Sequence, residues 1–271
     1  MKPLTFTLLA EPEERLDLSV LVPDRLAGKA MSDIAALPIG TTRAGLRVGE
    51  LFKVTGKDAS SIVFERGSRR FDQVGAGMTS GGIRVVGDVG FRAGREMGGG
   101  MLVIEGNAGE ELGSGLSGGR IEVIGNAGDR LGAPLAGELQ GVSGGTIVVR
   151  GKAGHRAGER MRRGLIAVLK GCGDHLGLGM IAGTIVVTGR VGAMPGYLMK
   201  RGSLLLDRRP DVLSPTFVDC GNADIAFSGL LDRFLIAEKI LDRPLLGSSP
   251  TRICGDNAVF GKGEILFRRG R

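Results

Sequence analysis

The aliphatic residues Ile83, Leu102, Ile121, Ile147, Ile166, Ile185 and Leu204 follow one another at intervals of 19, 19, 26, 19, 19 and 19 residues. The interval of 26 is 19 plus a seven-residue insertion within APLAGELQGVSGG, residues 133–145. Ile62, 21 residues before Ile83, starts an earlier and less regular unit. Glycine keeps the same period. It recurs four, seven and eleven residues after an anchor and again just before the next one, as at Gly106, Gly109, Gly113 and Gly119. Self-similarity at a fixed period marks a repeat architecture, in which each unit buries its apolar face only by stacking on its neighbours.

Within each unit apolar residues alternate, as in Leu102/Ile104, Ile121/Val123 and Ile185/Val187. Period two is a strand with one buried face. Small residues follow six positions after the anchor: Val89, Ala108, Ala127, Ala153, Cys172 and Val191. Larger ones return at fourteen: Met97, Leu116, Met161, Met180 and Met199. Nineteen extended residues reach roughly 60 Å, a closed circuit of about three short strands. The glycines sit where such a circuit must turn, since glycine takes positive φ at low steric cost. The expectation is an all-β chain whose centre is a right-handed parallel β-helix, a solenoid of ~19 residues per coil. A left-handed hexapeptide helix would show period six, which the glycine spacing does not fit.

Composition narrows the alternatives. Glycine makes up 49 of the 271 residues. Collagen would need it at every third position, and disorder would need fewer aliphatic residues. Trp is absent, Tyr occurs once and Phe ten times, which disfavours sugar-stacking clefts and base-stacking surfaces. The formal charge is +7, with 27 Arg against 9 Lys. Cys172, Cys220 and Cys254 are widely separated with no CxxC pair, so neither metal ligation nor disulfide stapling is indicated. The N-terminus turns acidic too soon for a signal peptide, and no stretch approaches a membrane span. A cytoplasmic protein is expected.

Residues 1–60 lack the glycine period and read as an N-terminal capping segment, with strands in LTFTLLA and ELFKVTG and a short helix in MSDIAALPIG. Residues 61–207 carry the repeat. Residues 208–271 read as a C-terminal helix within ADIAFSGLLDRFLIAEKIL and a closing strand in FGKGEILFRRG. One position after the anchor, the later units carry Val148, Ala167, Val186 and Leu205. That outward apolar stripe needs a cover, and the C-terminal helix is the first candidate, with Phe227, Leu230, Leu231, Phe234, Leu235 and Ile240 as its apolar residues.

The units GNAGEELGSGLSGG, GKAGHRAGERMRRG and GRVGAMPGYLMKRG resemble the C subunit of formylmethanofuran dehydrogenase. That family shares its repeat with the glycine-rich C-terminal domain of the glutamate synthase large subunit. The resemblance implies a β-helix subunit without catalytic residues of its own, in a cytoplasmic complex. Its implied partners are an amidohydrolase-like subunit, a subunit related to molybdopterin enzymes and a formyltransferase subunit. In methylotrophic bacteria such a formyltransferase/hydrolase complex moves a formyl group from tetrahydromethanopterin via methanofuran to formate, and the chain is expected to be its non-catalytic scaffold. The alternatives are the C subunit of a carbon dioxide-reducing formylmethanofuran dehydrogenase, or a stand-alone glutamate-synthase-like β-helix domain.

The candidate binding residues are Arg156, Arg160, Arg162 and Arg163, within HRAGERMRRG, with Lys200 and Arg201 near the same face two units on. They read as a solvated face or as a strip holding the glutamate tail that the resemblance implies for a methanofuran-type carrier. His155 and His175 fall on consecutive units, and Asp129, His155 and Asp174 share one offset. A charged ladder is the simpler reading beside a metal or acid–base site. Cys172 shares its offset with alanine and valine and reads as core. The glycines lead into further strands, not into a helix N-terminus, so a phosphate loop is not indicated. Nucleic acid is not expected as a partner.

Overall fold

The computed structural model describes residues 2–43, 45–222, 226–247 and 249–268. The chain opens with β1 (Pro3–Leu8), β2 (Leu16–Asp17), α1 (Pro23–Leu26), α2 (Met31–Ala35), α3 (Val48–Leu51), β3 (Phe52–Thr55), β4 (Asp58–Gly67) and β5 (Phe71–Asp72). The periodic region supplies β6 (Gly82–Gly87), β7 (Met101–Ile104), β8 (Arg120–Val123), β9 (Thr146–Val149), β10 (Leu165–Val168), β11 (Thr184–Val187) and β12 (Ser203–Leu206). Then come β13 (Val218–Asn222), α4 (Ala226–Ala237), β14 (Thr251–Gly255) and β15 (Gly263–Phe267). The expected helix over 223–241 is therefore described from Ala226. Residues 223–225 and 269–271, at the edges of the expected helix and closing strand, lie outside the described residues.

The protein is mostly β, and thirteen of its strands form one sheet in the order β13-β14-β15-β12-β11-β10-β9-β8-β7-β6-β4-β1-β3. Every anchor pairs with the next in parallel register: Ile62, Ile83, Leu102, Ile121, Ile147, Ile166, Ile185, Leu204 and finally Ile265. Leu102 is thus sandwiched between Ile83 and Ile121. The N-terminal segment joins the same ladder, because β1 lies parallel to β4 with Leu4 beside Ile62. β3 then closes that edge antiparallel to β1.

Two further rows run beside the sheet. Ala108, Ala127, Ala153, Cys172 and Val191 are joined by parallel bridges. Met97, Leu116, Met161, Met180 and Met199 are fully buried. The lap with the insertion fills its place in that row with Val142, whose carbonyl accepts from the Arg162 N–H at 2.8 Å, as the Met161 carbonyl accepts from Ile181. The extra residues leave the row as a surface loop, closed where Val142 N–H donates to the Gly132 carbonyl. Glu138 ties the loop back through Arg95 at 2.9 Å.

Glycine at the eleventh position is demanded twice over. Gly158 has φ +71°, and a Cβ there would stand 2.3 Å from Cδ1 of Ile185. The anchor side chain two units on therefore fills the space that a side chain at Gly158 would need.

The ends differ in chemistry. At the N-terminal end Phe6, Phe52, Phe64 and Phe71 form one aromatic cluster, with Phe6 and Phe64 stacked at 5.1 Å. Toward the C-terminal end Leu235, Ile240, Leu245 and Leu246 bury the outward stripe Val148, Ala167, Val186 and Leu205. The helix does not use all its apolar residues for this. Phe227, Leu230 and Phe234 are 46, 58 and 48% exposed. The face turned inward carries Ser228 and Asp232 with Leu235. Asp232 accepts backbone N–H groups from Leu245, Leu246 and Gly247, and the Ser228 hydroxyl donates to the Gly247 carbonyl. Polar clamping to the returning chain, not hydrophobicity, decides which way α4 faces.

Replacing Gly158 with Ala should destabilise the fold by roughly 2–4 kcal/mol through left-handed strain and overlap with Ile185. Gly137→Ala, in the open insertion loop with nothing within 4 Å, should cost only the strain, about 1–2 kcal/mol. Denaturant unfolding of the two variants compares them. Asp232→Ala leaves buried N–H groups without an acceptor and should cost about 2–4 kcal/mol, against about 1 kcal/mol or less for Phe234→Ala. Hydrogen exchange at residues 245–247 reads that difference.

Candidate functional site

The corner before each strand projects two residues outward. On three successive laps these are Arg162 and Arg163, Ile181 and Ala182, then Lys200 and Arg201. The closing turn adds Lys262, whose N–H donates to the Lys200 carbonyl at 2.7 Å. Together with Val259 and Phe260 they line a concavity of about 510 Å³. Five of the nine lining residues are cationic and none is acidic. Arg162 donates to the Gln140 amide oxygen at 2.9 Å. Like charges on stacked laps repel, and a carboxylate or phosphate ligand would relieve that repulsion.

A buried carboxylate fixes the far wall. Asp256 is fully out of solvent. It accepts from Leu198 N–H and Ala258 N–H, each at 2.9 Å. Burial alone would push its pKa up; hydrogen bonds from the Thr216 hydroxyl and the two N–H groups overcome this and hold it below the usual aspartate value. The same residue caps the 3₁₀ turn Asn257–Val259, which ends in left-handed Phe260 at φ 51°. Phe260 is 94% exposed, a bare aromatic ring on the rim of a cationic hollow.

Of the four arginines singled out in the sequence, two line this hollow. Arg162 and Arg163 are there with Lys200 and Arg201. Arg156 pairs with Glu159 at 3.3 Å. Arg160 reaches the Glu138 carbonyl in the insertion loop at 3.5 Å. Lys262 and Phe260 escaped the sequence reading because the closing segment carries too few glycines to show the period. Aligning GEILF on the anchor Ile265 would have put Lys262 beside Arg201.

The remaining candidates hold backbone. His155 N–H donates to Asp129 at 2.8 Å, and Nδ1 of His155 accepts from Asp174 N–H at 3.0 Å. Asp174 in turn accepts from Ala193 N–H at 2.7 Å. An accepting Nδ1 places the imidazole proton on Nε2. The Asp174 carboxylate, 3.5 Å from Nδ1, becomes its ion-pair partner only on protonation. His175 sits edge-on to Tyr197. Burial pushes the Cys172 thiol up to about 12, which suits packing and not nucleophilic attack. Among the described residues no three His, Cys, Asp or Glu side chains group as metal ligands, and no helix is long and apolar enough to cross a membrane.

No family model matches the chain. It is 42% identical over 88 residues to the Fhc C subunit of the formyltransferase/hydrolase complex of Methylorubrum extorquens. That segment is 32% of this chain and 33% of the relative. The crystal structure of the formyltransferase/hydrolase complex FhcABCD from the same organism, with methylofuran bound, contains a chain of the same shape. The TM-score is 0.94 at 41% identity, covering 98% of this chain and 100% of that one. The chain belongs to the Fhc C-subunit family.

Coverage of that extent takes in β1, β3 and the C-terminal strands as well as the glycine laps. The likeness to the Fhc C subunit is thus more than a shared repeat. The cationic hollow of this family member lies where the last laps meet the closing turn, so its shape depends on Asp256.

Asp256 has a depressed pKa when folded. Its contribution to stability is full above the ordinary aspartate range and is lost as pH falls through that range and below it. Thermal unfolding from pH 6 to pH 3 should therefore show a steeper loss for the wild type than for Asp256→Asn. At pH 7 the variant should be less stable by about 1–2 kcal/mol.

Proposed function

We propose that this chain is the non-catalytic structural subunit of a formyltransferase/hydrolase complex of one-carbon metabolism. That complex would pass a formyl group from tetrahydromethanopterin through a methanofuran-type carrier to formate in the cytoplasm. The observation that carries the reading is the full-length match to a chain of FhcABCD at 41% identity. The other subunits of such a complex are its partners: an amidohydrolase-like subunit, one related to molybdopterin enzymes and a formyltransferase subunit.

The architecture suits the role. The in-register anchors, the alanine row and the methionine row support a right-handed parallel β-helix over residues 61–207, capped by 1–60 and covered by 208–271. A stack of this kind is stiff, and stiffness fixes the separation of partner active sites serving one tethered carrier. The histidine and Cys172 environments favour structural duty over chemistry on this chain.

The cationic hollow is the part that would meet the carrier. Arg162 and Arg163, with Lys200, Arg201 and Lys262, would hold an acidic tail through charge-assisted hydrogen bonds. Arg156 and Arg160 would flank that strip, both already engaged, and contribute less.

Mild purification from the native host tests the assignment. Three further subunits should co-elute, and a lone protein with its own turnover would overturn it. In the intact complex, Arg162→Glu with Arg163→Glu should raise the carrier concentration needed for half-maximal coupled turnover about tenfold or more. Arg156→Glu should change it by less than about threefold.

A further inference from the structure

Two of the three cysteines, separated by more than thirty positions in the sequence, meet in the fold. β13 and β14 run antiparallel with Val218 opposite Cys254 and Asp219 opposite Ile253. Cys220 follows Val218 by two residues, on the diagonal from Cys254. The register slips between Asp219 and Asn222, and there the two thiols interact across the strand pair. The Cys220 thiol points back along its strand toward the Val218 carbonyl at 3.6 Å, the side on which Cys254 lies. Both thiols are free. Cys172 is set apart, bridged between Ala153 and Val191.

The position of the pair gives it a purpose. The chain leaves the sheet at β13 and returns at β14. Between them, residues 221–253 carry α4 and the segment whose Leu235, Ile240, Leu245 and Leu246 cover the outward stripe. Cys220 and Cys254 thus stand at the neck of the covering excursion. β13 is exposed along its whole length and is an edge strand of the sheet. A bond across the neck would close a loop of tens of residues around the cover, a closure that restricts its opening.

The geometry points to Cys220 and Cys254 as a disulfide-forming modification site that fastens this excursion under mild oxidation by a small disulfide. The Cys220 thiolate attacks one sulfur of glutathione disulfide, forming a mixed disulfide and expelling one glutathione thiolate. The Cys254 thiolate then attacks the Cys220 sulfur and expels the second. The protein pair loses two electrons and two protons; one glutathione disulfide becomes two glutathiones. Exposure decides the order, since Cys220 is open to solvent and Cys254 half-buried. Burial, the largest cause of the raised pKa of the Cys254 thiol, persists once Cys220 is in the mixed disulfide. The second step is therefore slow near neutrality and quickens as pH rises, by about tenfold per unit.

The test uses the full chain, reduced and then exposed to glutathione disulfide at pH 7, 8 and 9. Intact-mass analysis should show a single glutathione adduct first. It should then give way to a species two hydrogens lighter than the reduced protein, with that conversion about tenfold faster at pH 8 than at pH 7. Peptide mapping should join the segments bearing Cys220 and Cys254 and leave Cys172 alkylatable. Cys220→Ser should form no internal disulfide, while Cys172→Ala should behave as the wild type. Trypsin cleavage within the excursion, at Arg233 or Arg243, should be slowed about tenfold or more by oxidation and restored by dithiothreitol. An adduct that never resolves at pH 9, a bond to Cys172, or dimers linked between chains would overturn the proposal. So would equal cleavage rates in the oxidised and reduced forms.

Discussion

The rest of the structure depends on the parallel, in-register pairing of one short strand with its counterpart a lap away. From β7 to β12 each lap gives only four residues to that strand, far too few to hold by themselves. What holds them is repetition. Ile121 packs between Leu102 and Ile147, and its neighbours do the same, so one buried row serves every lap. The polar side chains repeat the device. Asn107 N–H donates to Asp88, Asn126 N–H to Asn107 and Lys152 N–H to Asn126. A turn that would otherwise leave N–H groups unpaired is therefore satisfied by the lap before it. The same bonds keep the first carboxylate of the row charged. Burial would raise the pKa of Asp88, but hydrogen bonds from Asn107 and Arg69 bring it below the ordinary value.

Repetition leaves two open ends, and these carry the chemistry that the repeat lacks. At one end four phenylalanines fill the space beyond the last regular lap, and Asp24 grips residues Thr79 and Ser80. The Thr79 N–H and the two hydroxyls hold the Asp24 carboxyl down at about 2. At the other end the sheet changes direction: β15 continues parallel on β12, then β14 and β13 pair antiparallel. An antiparallel turn-back can end a parallel stack without a new crossover. It also brings together residues that no period relates, including Cys220 with Cys254, and it carries Phe260 and Lys262 to the cationic corner.

What could be read from the sequence follows from this division. The anchors and the alanine and methionine rows were legible because each position is copied lap after lap, and copying is visible without coordinates. Val142 was not, since the insertion shifts it off the count by seven residues while its backbone keeps the bond that Leu116 and Met161 make in their laps. The facing of α4 was not legible, for a physical reason. Phe227, Leu230 and Phe234 look like the core face on a hydrophobicity pattern, but Asp232 collects three N–H groups of the returning chain and turns its own side inward. A buried carboxylate with several donors outweighs a few partly exposed rings. Lys262 and the thiol pair depend on strand register in a region without a repeat, and register there is set by pairing, not by local sequence.

Stacking also explains why the cationic hollow sits at a corner. Neighbouring strands lie ~4.8 Å apart, so identical charges on adjacent laps would face one another at close range. Lys262 stands on the lap next to Lys200 and Arg201, but Ile181 and Ala182 separate Arg162 and Arg163 from Lys200 and Arg201 by one uncharged lap. That doubles the spacing to roughly 10 Å, about one Debye length at moderate salt. Elsewhere on the molecule many arginines have acids beside them, as Arg84 has Glu105, Arg92 has Glu111 and Arg150 has Glu122. The hollow departs from that habit: Arg162 has Gln140 as a polar neighbour, and none of the residues that line the hollow is acidic. Spacing that weakens mutual repulsion without adding counter-charge leaves the field outside the hollow intact. A flexible chain of carboxylates could then satisfy successive cations in turn, whereas a single small anion would reach only one lap.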